Sequence, residues 1–236
     1  MNNTLQKEKI DELSLTIIEL LSKTPFKVFT IDEIKNKLIK SKIKTNYATV
    51  YRKIDSLVNQ SIFLKEKYGM ASKIQINCLN ERVVSLLSLI EIKKFEKFFG
   101  KLKGNILTSI KEIVSDVKGI GDFKYILIFG SYAKWTQHKN SDLDLLVVYE
   151  ISKRLLNLLS EEQYDNYVKD IKTSITQIIK TSELRGGPNI NPIIVSDDEH
   201  KEMIINNEEN IAKETLLNHV ILKGHNEYWL DVLKSK

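Results

Sequence analysis

The chain has 236 residues, 42% of them hydrophobic and 28% charged, with a formal net charge of +5 and one cysteine. That length holds one or two cored domains of ~100–150 residues each, and the lone Cys78 excludes a disulfide framework and a cysteine-built zinc site. No run approaches the ~18 uncharged apolar residues of a membrane helix, and the opening MNNTLQKEKIDEL does not read as a signal peptide, so a soluble, cytoplasmic protein with no membrane partner is expected.

Charge is uneven along the chain: residues 1–80 carry 14 Lys and Arg against 8 Asp and Glu, whereas residues 121–236 carry 14 against 18. A basic first part suits a nucleic-acid face. Leu5 to Leu21 places Leu13, Ile17, Ile18, Leu20 and Leu21 on a helical stripe that ends near Pro25. Thr30 and Glu33 have capping-box spacing and open a second helix through Ile34, Leu38 and Ile39. Past the polar stretch 40–45, a third helix is expected from about Asn46 to Asn59, with Val50, Ile54, Leu57 and Val58 inward. Two β-like runs, Ile62 to Lys67 and Lys73 to Asn77, flank Tyr68-Gly69-Met70 as a hairpin, and Cys78 reads as a small core residue.

Three helices followed by a hairpin resemble a winged helix-turn-helix domain, here over residues 1–80. The resemblance implies that the third helix enters the major groove of double-stranded DNA and presents Thr45, Asn46, Thr49, Arg52 and Lys53. Lys65, Lys67 and Lys73 would then lie on the wing, near phosphates. The plainer alternative is a small helical domain with a lysine-rich surface or a protein-docking role.

Residues 81–120 read as a helical connector, with helices over Glu81 to Phe99 and Asn105 to Val117 broken around Gly100 and Gly104. The first is apolar at Val83, Val84, Leu86, Leu87, Leu89, Ile90 and Ile92, too broad a face for a free linker. It is expected to pack on its neighbours or to form a homodimer through the helices of 81–118. Gly119 and Gly121 lead into the last region, 121–236.

There an apolar run, Tyr125 to Phe129, stops at Gly130-Ser131, and a second run opens with Asp142-Leu143-Asp144 and continues to Val148. Side chains alternate on a strand, so Asp142 and Asp144 share one face about 7 Å apart. Two such carboxylates suit a hard cation that completes its shell with water and phosphate oxygens. Glycine at the end of the first strand allows close approach, and the turn after it offers free N–H groups to an anion. If both features serve one site, the two strands are antiparallel neighbours.

Gly130, Ser131, Ala133, Lys134 and Ser141-Asp142-Leu143-Asp144-Leu145 together resemble the nucleotidyltransferase fold of the DNA polymerase beta superfamily, especially its minimal branch. Trp135 stands where that family usually has glycine. The resemblance implies an α+β domain with a small mixed sheet flanked by helices, an NTP substrate such as ATP, and Mg²⁺ or Mn²⁺ held by Asp142 and Asp144. It also implies a triphosphate at Gly130 and Ser131, with Lys134 and Ser141 as further nucleotide contacts.

A further helix is expected from Ser160-Glu161-Glu162-Gln163 to Lys180, and Gly186-Gly187-Pro188 turns into a third strand, Ile190 to Val195. Ser196 caps another helix. A helix to Leu217, a short strand His219 to Leu222 and a helix around Tyr228 to Leu233 close the chain. Histidines 138, 200, 219 and 225 have no metal-ligand spacing and read as surface or turn residues.

The family's third acid belongs on the third strand, where this chain has Asn189 and Asn191, and asparagine cannot accept a proton. Asp197 and Asp198 follow a capping serine and read as helix-start residues, the alternative being that one of them replaces the missing ligand. The leading expectation is a metal-dependent transfer of a nucleoside monophosphate to an acceptor, which is a protein, an RNA or a small molecule. Competing with it are a DNA-binding regulator whose transferase domain only senses nucleotide, and the antitoxin of a toxin–antitoxin pair.

Overall fold

The computed structural model describes residues 10–69, 71–120 and 122–235. The part of the first expected helix before Ile10, and the glycine expected to lead in at 121, lie outside them. The chain divides between Ile90 and Glu91 into two compact units.

In the first unit, α1 (Glu12–Ser22) is capped by Asp11, whose side chain accepts from Ser14 N at 2.9 Å. β1 (Phe29–Thr30) runs directly into α2 (Ile31–Lys40), where Thr30 and Glu33 form the expected capping box. α3 (Tyr47–Asn59) begins at the cap Asn46 and is followed by the hairpin β2 (Phe63–Tyr68) and β3 (Ala71–Ile76). Tyr68 pairs with Ala71 across Gly69-Met70, of which Met70 is outside the described residues. The sheet is antiparallel in the order β1-β3-β2. Ile17, Ile18, Ile34, Leu38, Val50 and Ile54 are fully buried, the inward positions that the helical period selects. Two residues of strand at Phe29 are too few for a period-2 pattern, which is why the sequence shows only the cap there. Cys78 is half-exposed, not a core residue.

α4 (Glu81–Phe99) carries the division between the units. Val83, Val84, Leu87 and Ile90 are buried within the single chain, and of its apolar face Leu89 and Ile92 stay exposed.

The second unit continues with α5 (Gly104–Val117), β4 (Phe123–Ile128), α6 (Gly130–Lys134), β5 (Leu143–Tyr149), α7 (Lys153–Leu156), α8 (Glu161–Leu184) and β6 (Ile190–Ser196). α9 (Asp197–Ile205), α10 (Ile211–Leu217), β7 (Val220–Lys223) and α11 (His225–Lys234) follow. The mixed sheet has the order β6-β5-β4-β7, with β4 antiparallel to β5 and β7, and β5 parallel to β6. Leu143, Leu145 and Val147 of β5 share a core with Ile110 and Ile113 of α5 and Ile171 and Ile175 of α8. Leu146 and Val148 alternate with them and are equally buried. On that second face Tyr125 meets Tyr228 of α11 edge-on, ring centroids 5.6 Å apart. A sheet covered on both faces accounts for the unbroken apolar run of β5.

Candidate functional site

The site forms where β4 ends beside the start of β5. Phe129 N–H donates to Asp144 O at 3.1 Å, which fixes the Gly-Ser turn against the carboxylate strand. Gly130 has φ +64°, and a Cβ added to it would lie 2.0 Å from Asp144 Oδ2. Only glycine fits there, on both conformational and steric grounds. α6 is a single helical turn that ends at Trp135 in the left-handed region, φ 56° and ψ 35°. Position 135 thus takes a backbone conformation that favours glycine while carrying an indole. Thr136 N–H donates to Ser131 O at 3.0 Å, closing the turn.

The chain returns through a tight turn in which His138 N donates to Ser141 Oγ at 2.8 Å and Ser141 N to His138 O at 3.1 Å. The Ser141 hydroxyl is therefore engaged in shaping the approach to β5. Asp142 is exposed and Asp144 half-buried. The Tyr132 hydroxyl is pushed above its usual pKa by burial and then by the charge of Asp142.

In the parallel pairing of β5 with β6, Asp144 lies opposite Asn191, and Leu143 N donates to Asn189 O at 2.8 Å. Asn191 Nδ2 donates to Asp144 Oδ1 at 3.2 Å. One oxygen of Asp144 is thus met by a neutral amide and the other faces Gly130. Among the described residues no group of three or more His, Cys, Asp or Glu gathers as a metal set. Asp142 stands just before β5, not on it as the alternation suggested, and is exposed, whereas Asp144 is the second residue of the strand and half-buried. An exposed and a half-buried carboxylate beside a glycine turn fit a hard cation that keeps most of its shell as water and phosphate oxygen.

Lys134 pairs with Glu214 of α10 at 2.9 Å, both side chains well exposed, an ion pair worth little in water and easily exchanged. Asp197 and Asp198 lie elsewhere. Ser196 is opposite Tyr149, five residues along β5 from Asp144, or about 17 Å at strand rise. Asp197 is buried there with Lys124, Lys201 and Asp231, Lys124 Nζ being 3.0 Å from each aspartate. Burial acts to raise the Asp197 pKa, and the hydrogen bonds and charges of the two lysines overcome it and hold it below the usual range.

The histidines expected at the surface divide. His138 is exposed, but His200 is fully buried and shares a 2.8 Å hydrogen bond with the Tyr125 hydroxyl. His219 is also buried, its Nε2 3.3 Å from Glu91 Oε2. Single histidines carry no periodic signal, so their burial is not visible in the sequence.

Within the first unit, Asn46 caps α3 by accepting from Thr49 N at 2.9 Å, which commits its side chain to the helix start. Thr45 is half-buried and Arg52 exposed. Lys53 is 2.5 Å from Asp11, and Lys65 is 3.0 Å from Asp55 with its ammonium 4.8 Å from the Tyr51 ring centre. Lys67 is exposed, and Lys73 lies opposite Glu66 on the hairpin. Beside these residues stand Tyr47 and Tyr51, 46% and 40% exposed, with stacked rings 6.3 Å apart. Their i, i+4 spacing on the polar side of α3 is the signal of the pair in the sequence.

A mixed sheet on which a Gly-Ser turn touches the second of two paired aspartates defines a nucleotidyltransferase-type domain. The family described as "Polymerase beta, Nucleotidyltransferase" matches residues 108–190. A Methanocaldococcus jannaschii protein named "Putative protein adenylyltransferase" is 40% identical over 73 residues, 29% of this chain and 74% of the relative. A second protein of that organism with the same description is 37% identical over 73 residues, with the same coverage. The chain belongs to this nucleotidyltransferase family. No solved structure matches it.

Proposed function

We propose that the second unit is a metal-dependent nucleotidyltransferase that moves a nucleoside monophosphate from an NTP to an acceptor hydroxyl and releases pyrophosphate. ATP is the substrate we favour, because the relatives are described as adenylyltransferases. The observation that carries the reading is the contact of Gly130 with Asp144, which brings an anion-binding turn against a metal-binding carboxylate. In this reading Asp142 and Asp144 hold Mg²⁺ or Mn²⁺, Gly130 and Ser131 receive the triphosphate, and Lys134 leaves Glu214 to meet phosphate charge. The bound cation supplies screening of the phosphates and alignment of the displaced group. Asn191 orients Asp144 and accepts no proton. The test is incubation of the whole chain with α-labelled ATP, Mg²⁺ and RNA or protein acceptors. Transfer that vanishes in Asp142→Ala/Asp144→Ala is the expected result, and equal labelling by that variant would sink the assignment.

Asn191 also supports a second reading, in which turnover is lost and the domain binds nucleotide as a sensor within a DNA-binding regulator. In a third, the acceptor is a toxin partner and the chain acts as its antitoxin. For residues 10–80 we propose a winged helix that binds double-stranded DNA. The order helix, strand, two helices and hairpin supports it, as does the exposure of Arg52 on α3.

A further inference from the structure

Trp135 is in a conformation that its residue type does not favour. At φ 56° a bulky L-residue is an outlier, and glycine or asparagine is the low-strain choice for closing a helix in this way. Phe98 and Lys101 hold the indole in place, the Phe98 ring centre 5.1 Å from it and the Lys101 ammonium 4.9 Å. Indole is the strongest cation–π partner among the side chains. Core packing does not explain the residue, since Trp135 remains 41% exposed whereas Trp229, the other of the two tryptophans, is 1% exposed.

A strained backbone that holds a large aromatic in solvent points to a ligand. Trp135 follows Gly130 by five residues across the single turn of α6, and Thr136 N–H is bonded to Ser131 O. A nucleotide whose phosphates lie at the Gly-Ser turn has its base within reach of such a ring.

We propose that Trp135 is the platform on which the nucleobase of the bound NTP stacks, with Phe98 and Lys101 as the residues that position it. This rests on Gly130, Asp142 and Asp144 forming the nucleotide site. Stacking uses the face that every base has, so purine nucleotides bind more tightly than pyrimidine ones without strict base selection.

The experiment is calorimetric titration of the full chain with ATP and, separately, with inorganic tripolyphosphate, both with Mg²⁺, alongside tryptophan fluorescence. ATP is expected to quench the emission and tripolyphosphate to leave it unchanged. Trp135→Gly should weaken ATP binding about tenfold, which is about 1.4 kcal/mol, leave tripolyphosphate binding as it was, and hold or raise the melting temperature. Trp135→Asn, which also tolerates the left-handed region, gives the same comparison where glycine loosens the turn. Trp135→Phe should keep most of the ATP affinity and lose the quench. Unchanged ATP affinity in the glycine and asparagine variants, or equal loss of ATP and tripolyphosphate, would overturn the platform alone. A wild-type chain that binds neither ligand would overturn the nucleotide site itself.

Discussion

An alanine at position 130 would put its methyl group 2.0 Å from Asp144 Oδ2 and would hold φ at +64°. The backbone term alone costs about 1–2 kcal/mol. The larger effect falls on function, because the carboxylate must move before the turn can form. Gly130→Ala is therefore expected to lower the melting temperature by a few degrees and to remove metal-dependent nucleotide binding, which thermal melts with and without Mg²⁺-ATP will show. Asn191 is the complementary position. Its amide meets Asp144 Oδ1 at 3.2 Å, so Asn191→Asp sets two carboxylates face to face. Like charges at that distance destabilise the metal-free protein and strengthen cation binding. The variant should melt below wild type in EDTA, recover in Mg²⁺, and show raised transfer if the missing acid limits turnover. A melting temperature indifferent to Mg²⁺ would count against a metal site between the two strands.

At the level of elements, β4 and β5 were legible because their apolar runs are long and end at glycine and aspartate. The capping boxes at Thr30, Ser160 and Ser196 placed three helix starts to the residue. What was not legible depends on partners distant in sequence. The Lys124 cluster joins β4, α9 and α11 across 73 and 107 residues, and His200 beside it is buried without any local signal. That burial makes α9 pH-sensitive. Desolvation first, then the charges of Lys124 and Lys201, hold the His200 pKa at about 4, below its usual 6.5, with Asp197 opposing. In the unfolded chain the ring binds a proton below pH 6.5, while the folded state refuses it until about pH 4. The stabilisation is thus complete above pH 6.5 and lost as pH falls towards 4. The loss is on the order of 3 kcal/mol. Denaturant unfolding followed by tryptophan emission at pH 7, 6 and 5 should show it, and His200→Asn should flatten the slope. An equal slope in that variant would assign the pH dependence to the carboxylates instead.

At the level of the whole molecule, a basic unit and a unit with paired carboxylates are carried on one chain, and the DNA reading of the first can be tested apart from the chemistry of the second. The lysines of the first unit are not equivalent. Lys53 and Lys65 are held by Asp11 and Asp55, so their removal disturbs packing as well as charge. Arg52 and Lys67 are exposed, and substituting them changes the surface with little effect on the fold. If α3 and the hairpin lie along duplex DNA, wild-type affinity should fall steeply with salt as counterions are released. Lys67→Ala should lower the salt slope by about one counterion if it meets a phosphate. Arg52→Ala should weaken binding with the melting temperature held, and Tyr51→Ala should do so while also freeing Lys65 from the ring it covers. Gel shifts on duplexes of varied sequence at several salt concentrations measure all of these. Affinity that ignores salt, or no binding to any duplex at low salt, would leave Tyr47, Tyr51 and Arg52 as a protein-docking face, since an exposed aromatic pair beside an arginine is also what protein interfaces select.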